Sequence, residues 1–332
     1  RWTCGRSAPA ITPNVHWTAT FCRNASRADS ESDLMDRLGS LIQASCRQAN
    51  AAGDSVLQTS GGLDSNLLLH AQVAAGIDFK AMTFVFPGLD CDESAESRRS
   101  AYRAGVSLDE VDLSDGCFDA YRDALCEHCD VLPFTTTYFT TETVRYARRQ
   151  GAQTILSGVG GDEIFWTPQD KAMGLLVRAA PLTAARHVHR APRRFVRGLG
   201  RRLLSGPTWS LHRSLMQGNG TFYMAAAQES EWGGCAFRAP FRDAAVLTAV
   251  LPAACRASLD GPEVRGLQRR LLEHFAPGLS DTVGVRKAEF SAVARATPVE
   301  CAELGEPLRE NIAPLAPAFL EKKKELGTLV VD

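Results

Sequence analysis

The chain reads as an α/β protein, a doubly wound parallel sheet followed by a mostly helical C-terminal part. Three observations predict this. Short apolar runs of strand length alternate with helix-length segments, the pattern of parallel βαβ units. Two of those runs end in glycine-rich turns, Ser60-Gly61-Gly62 and Ser157-Gly158-Val159-Gly160-Gly161. Beyond Asp170 the strand-like runs give out, and helical patterning punctuated by Pro takes over.

Residues 1–30 are rich in Thr, Ser, Asn and Pro and form an extended lead-in. A helix is expected over about Ser32–Ala51, because Leu34, Leu38, Leu41 and Ile42 share one helical face behind a Ser/Asp-rich start. Ser55–Thr59 is a strand, and Leu67, Leu68, Leu69 and Ala71 open a helix that ends near Gly76. The unit then repeats. Ala81–Phe86 is a strand, Glu93–Ala104 a helix and Leu108–Leu113 a strand. Cys117–Cys126 and Thr140–Gln150 are helical, and Thr154–Leu156 is a last strand. The predicted division is a lead-in and helix over 1–54, an α/β domain over 55–170, and a helical, Arg-rich part over 171–332.

Composition narrows the function. Of 332 residues 45% are hydrophobic and 23% charged, ordinary for a folded chain. The net charge of -1 argues against an electrostatic nucleic-acid binder. No apolar stretch approaches the roughly 20 residues a membrane span needs. Ten scattered cysteines fit a reduced, cytoplasmic setting better than a disulfide scaffold. Cys126-Glu127-His128-Cys129 lacks the second ligand pair of a structural zinc site. The first residue is Arg rather than Met, so a trimmed N-terminus is expected.

The first glycine turn, Ser60-Gly61-Gly62-Leu63-Asp64-Ser65, lies between a strand and a helix. Adjacent glycines let the backbone approach a ligand, and the helix start presents N–H groups and a positive dipole end to phosphate. Ser60 and Ser65 can add hydroxyl donors, and Asp64 can hold a Mg²⁺ that neutralises phosphate charge. The lysine of the kinase-type P-loop is missing, as is the dinucleotide GxGxxG.

That hexapeptide resembles the PP-loop of the ATP pyrophosphatase superfamily, which cleaves ATP between its α and β phosphates. Ser157–Phe165 is similar to the second signature of the asparagine synthetase family. The resemblance continues through Phe86-Pro87-Gly88, Asp92-Glu93-Ser94, Pro133, Arg238-Ala239-Pro240-Phe241 and Arg286-Lys287-Ala288-Glu289-Phe290. It implies an AMP-forming carbon–nitrogen ligase that adenylates a carboxylate with MgATP and hands the acyl group to an amine. Asp64 and Asp162 match the family's metal-binding aspartates. Ser60, Gly61, Gly62, Leu63, Asp64 and Ser65 correspond to the phosphate turn, and Ser157 and Gly158 to nucleotide contacts. Leu57 with Phe84 and Val85 of the Ala81–Phe86 strand is expected to flank adenine. Lys287 matches the lysine that stabilises phosphate and the developing tetrahedral centre, although Arg286 lies next to it rather than two residues before.

Two departures shape the expected substrate. Val159 stands where asparagine synthetases carry Glu and β-lactam synthetases Tyr, and a valine cannot relay a proton. Glu163 and His128 are the candidate bases. Only 54 residues precede the first strand, so no glutaminase domain is expected despite Cys4-Gly5. Gly160-Gly161-Asp162 resembles the macrolactam synthetases of lasso peptides, which join a peptide's N-terminal amine to an acidic side chain. The acid-free stretch from Lys171 to Gln228, with Arg178, Arg186, Arg190, Arg193, Arg194 and further arginines, suits an anionic substrate, a leader peptide or a partner protein. It equally suits a solvated basic surface. Ammonia-dependent asparagine synthesis and an inactive, peptide-binding relative are the alternatives.

Overall fold

The computed structural model describes residues 30–113 (except 52), 134–165, 233–260 and 265–283, with isolated positions between 173 and 230. Helix α1 (Glu31–Ala49) opens on a capping box. Ser30 Oγ accepts from the Asp33 N–H at 3.1 Å, and Asp33 Oδ2 accepts from the Ser30 N–H at 3.2 Å. Together they satisfy amides that a helix start otherwise orphans. Its buried face carries Met35, Leu38, Ile42 and Cys46, the helical spacing that the sequence shows.

Strand β1 (Ser55–Gln58) leads into α2 (Leu63–Ala74), and β2 (Lys80–Val85) into α3 (Ser94–Ala104). Strand β3 (Leu108–Asp112) follows, then α4 (Phe134–Arg149), β4 (Thr154–Leu156) and the short α5 (Gly161–Phe165). Past these come β5 (Ala236–Arg238), a 3₁₀ turn at Pro240–Arg242, α6 (Ala244–Asp260) and α7 (Gly266–Phe275). The five strands lie in the order β3-β2-β1-β4-β5. All are parallel, with Val56 opposite both Lys80 and Ile155, and Ile155 opposite Phe237.

Side chains alternate across this sheet and feed two cores. Leu57, Ala81 and Leu156 join α1, α2, α6 and α7 in one cluster, where Leu38, Ile42, Leu67, Leu68 and Leu271 are fully buried. Val56, Met82, Phe84, Ile155 and Phe237 pack on the other face with Val144 and Ala147 of α4. Helices on both faces leave the inner strands β1, β2 and β4 largely without a wet side, which is why they read as apolar runs, whereas the edge strand β3, Leu108-Asp109-Glu110-Val111-Asp112, stays partly exposed.

The structure departs from the sequence reading at three boundaries. Thr154–Leu156 is not the last strand, since Ala236–Arg238 pairs with its outer edge. Three residues with one large apolar side chain are too short to show a period, so only the open edge of β4 defines that strand. Helix α2 starts at Leu63 rather than Leu67 because its first turn is polar. Helix α4 begins at Phe134 rather than Thr140, a Thr-rich start whose weak propensity the fold overrides. The expected lead-in over 1–29, the helix at 117–126, the cluster at 126–129 and nearly all of the Arg-rich stretch lie outside the described residues, as do Pro133 and Lys287.

Candidate active site

In an open α/β sheet, ligands sit beyond the carboxyl ends of strands where the winding reverses. Here that point falls between β1 and β4, and both glycine turns emerge there. A cleft of about 500 Å³ opens over them.

The first turn is tied by its own serines. Ser65 Oγ accepts from the Ser60 N–H at 3.0 Å and lies 3.1 Å from Ser60 Oγ. The Ser60 hydroxyl in turn accepts from the Gly62 N–H at 3.2 Å. Asn66 Nδ2 donates to the Ser60 and Gly62 carbonyls at 3.1 and 2.7 Å. The first helical bond of α2 runs from Asn66 N–H to Gly62 O, so the amides of Leu63, Asp64 and Ser65 precede it and form the helix's anion-binding end.

The second turn is held from β5. The Ser157 N–H donates to the Arg238 carbonyl at 3.0 Å, and the Val159 N–H to Ser157 Oγ at 3.3 Å. Gly160 has φ +101, a conformation that L side chains rarely adopt. Phe241, fully buried, stands edge-on to Phe165 at 5.6 Å and anchors the segment after β5. The family-like Arg238–Phe241 segment thus shapes the turn from below.

The turns meet at Asp64. A Cβ on Gly161 would sit 2.0 Å from Asp64 Oδ1, and one on Gly158 3.0 Å from Asp64 Cβ, so the carboxylate nests where side chains are missing. Asp162 opens α5 close by, and Arg265, at the start of α7, reaches both acids. Its guanidinium is 3.6 Å from Asp64 Oδ2 and forms an ion pair with Asp162 Oδ1. Gln268 Nε2, fully buried, donates to Asp64 Oδ1 at 2.6 Å. A guanidinium shared by two carboxylates marks a place that attracts a cation, so the pair fits Mg²⁺. Two carboxylate ligands leave the remaining positions to phosphate oxygens and water, as that ion prefers.

The sequence-predicted residues divide on this geometry. Ser60, Asp64, Ser65, Phe84, Ser157, Gly158 and Asp162 line the cleft. Gly61, Gly62 and Leu63 belong to the turn, with Gly61 pressed against α3, since a Cβ there would lie 2.9 Å from Glu96 Cβ. Leu57 does not reach the cleft: it is fully buried in the core beside Leu67 and Leu68. Its neighbours Gln58 and Thr59 take the lining position, because the strand side that faces α2 is dry. Val85 likewise is outside the lining, between Phe84 and Phe86, which are in it. Glu163 is 8% exposed and does not line the cleft. His128 and Lys287 lie outside the described residues.

Thr83 and Phe86, on the strand expected to flank adenine, also line the cleft, as does Glu93 of the Asp92-Glu93-Ser94 segment; Cys91 and Phe139 in the lining, and Arg265 and Gln268 behind the acids, carry no signal in the sequence pattern. Phe139 meets Phe84 at 5.5 Å and Phe86 at 5.9 Å, an aromatic wall for a flat ring. Glu93 is, besides Asp64 and Asp162, the carboxylate in the lining among the described residues. Cys91 is buried, and burial pushes its thiol up.

A parallel sheet with a phosphate-type turn and two acids at its switch point defines a nucleotide-handling α/β enzyme. The sequence model of the asparagine synthase family matches residues 40–232, more than half of the chain, and the chain belongs to that family. It is therefore an ATP-using, ligase-type enzyme. Among solved structures it is similar to the U34-tRNA thiolase NcsA from Methanococcus maripaludis with its 4Fe–4S cluster, at 11% identity and a TM-score of 0.31, over 80% of this chain and 81% of that one. No curated protein matches the chain. No helix among the described residues is long and apolar enough to cross a membrane.

Proposed function

We propose that the protein is an AMP-forming amide synthetase that activates a carboxylate with MgATP and closes an amide on a peptide or natural-product substrate, as in macrolactam formation. The observation that carries this reading is the meeting of Asp64 and Asp162 at the switch point, directly beneath two glycine turns.

The roles follow from the geometry. The first-turn amides of α2, with Ser60 and Ser65, bind the phosphates. The Phe84, Phe86 and Phe139 wall takes the adenine ring. Asp64 and Asp162 would hold Mg²⁺, which when bound would supply charge neutralisation on the phosphates. A substrate carboxylate oxygen attacks the α-phosphorus, the α–β bridging bond breaks, and pyrophosphate leaves. An amine nitrogen then attacks the acyl carbon and AMP departs. Val159 presents only methyl groups at the cleft, so the ammonium proton goes elsewhere. Glu93 replaces Glu163 as the candidate acceptor, being, among the described residues, the carboxylate that lines the cleft besides Asp64 and Asp162. Lys287 remains the proposed counter-charge to the developing oxyanion.

Incubation with MgATP and a panel of acidic peptides bearing a free N-terminal amine should yield AMP, pyrophosphate and a peptide lighter by one water. Asp64→Asn should abolish pyrophosphate release with the thermal transition unchanged. Release of ADP, or turnover that survives Asp64→Asn, would overturn the reading.

A further inference from the structure

Arg265 is the one non-glycine residue with positive φ among the described residues, at +67°. A non-glycine residue in that conformation is strained and persists only where its surroundings enforce it. In that conformation its side chain meets a pair of carboxylates. Arg265 is the N-cap of α7, and its side chain, 18% exposed, lies with its guanidinium against Asp64 and Asp162 together. One turn further along the same helix, Gln268 donates to Asp64. The first turn of α7 therefore grips both acids, with a cation at one point and a neutral donor at the other.

We propose that this turn is a latch on the metal site: Arg265 acts as the acids' counter-ion until a divalent cation displaces it, while Gln268 keeps Asp64 aimed at Asp162. The proposal rests on the metal-binding role assigned to those aspartates above. A guanidinium carries one charge where the divalent ion brings two, and both cannot occupy the same oxygens. Loading the site then frees Arg265 from its strained backbone and loosens the start of α7, so metal occupancy is communicated to the helices that pack on α1 and α2. Gln268 is a positioning residue, since it acts through Asp64 and does not itself line the cleft.

The test uses Mn²⁺ alone, without nucleotide, read by paramagnetic resonance and by amide exchange over 265–275. Arg265→Gly removes the guanidinium and also the backbone strain, so folding is protected, and Arg265→Met keeps the bulk. Both variants should bind Mn²⁺ roughly fivefold or more tightly than the parent, as expected for removal of a competing partly buried ion pair. In the parent, Mn²⁺ should speed exchange at the start of α7, and in Arg265→Gly it should not. Equal or weaker Mn²⁺ binding by both variants would overturn the latch. Asp64→Asn separates the two ideas. If it abolishes Mn²⁺ binding while the Arg265 variants match the parent, the metal site stands and the latch fails. If Mn²⁺ binding survives Asp64→Asn, the metal assignment fails and the latch with it.

Discussion

At the scale of single residues, the site is defined by what is missing at position 161. The Asp64 carboxylate occupies the space where a methyl group would lie, 2.0 Å from its Oδ1. Gly161→Ala must therefore turn Asp64 away from Asp162, and the Mg²⁺ concentration for half-maximal pyrophosphate release should rise by roughly tenfold, about 1.4 kcal/mol. A titration of that rate against Mg²⁺ checks it, and an unchanged midpoint would show that Asp64 relaxes without loss. Glu93→Gln should lower the maximal rate of amide formation and leave AMP release from a pre-formed adenylate dependent on higher pH. Asp64 and Asp162 were legible because each sits inside a local strand–turn–helix pattern. Arg265 and Gln268 were not, because Gln268 stands 204 positions from the aspartate it holds, and nothing in its neighbourhood announces a partner.

At the scale of elements, α2 carries both the end of the first glycine turn and the centre of one core. Leu67, Leu68 and Leu69 are all fully buried, so this helix has no wet face over that stretch. Leu68→Ala should cost about 2–5 kcal/mol in chemical denaturation, the range for a leucine removed from a core that cannot collapse. His70 adds a pH dependence. It is 5% exposed and lies 3.3 Å from Ser100 Oγ on α3. Burial, aided by the Arg103 charge, lowers its pKa from 6.5 to about 4. The unfolded chain thus binds the proton before the folded one does. The stability from a neutral His70 is complete above pH 6.5 and is lost as pH falls toward 4, up to about 3 kcal/mol. Denaturation midpoints from pH 4 to 7 should show that slope, and His70→Gln should flatten it. The start of α2 and of α4 escaped the sequence reading for one reason: polar or Thr-rich first turns hold no apolar period, and the packing that makes them helical is not local.

At the scale of the molecule, the strand order decides which distant segments must be present together. β5 supports the second glycine turn through the Arg238 carbonyl, while α6 and α7 cover α1 and α2. All three lie beyond residue 232, where the family match ends. A chain ended at 232 would bare the edge of β4 and the buried faces of Leu38 and Ile42, and it should aggregate where the full chain stays dispersed; light scattering at equal concentration would show it. The α/β class and two of the site's acids could be read from the sequence, whereas the closing strand could not, because a three-residue strand exists only by virtue of the neighbour it pairs with.

That closing strand also sets a clock for synthesis. Thr154 and Ala236 are partners in the sheet, yet about 80 residues separate them, so at roughly 5–20 residues per second the edge of β4 waits some seconds for its mate. Throughout that interval the nascent chain exposes a row of unpaired amides and carbonyls beside an apolar face. Slow translation of the Arg-rich stretch would lengthen the exposure, and yield in a cell would then depend on codon choice and chaperone supply as much as on the stability of the finished protein.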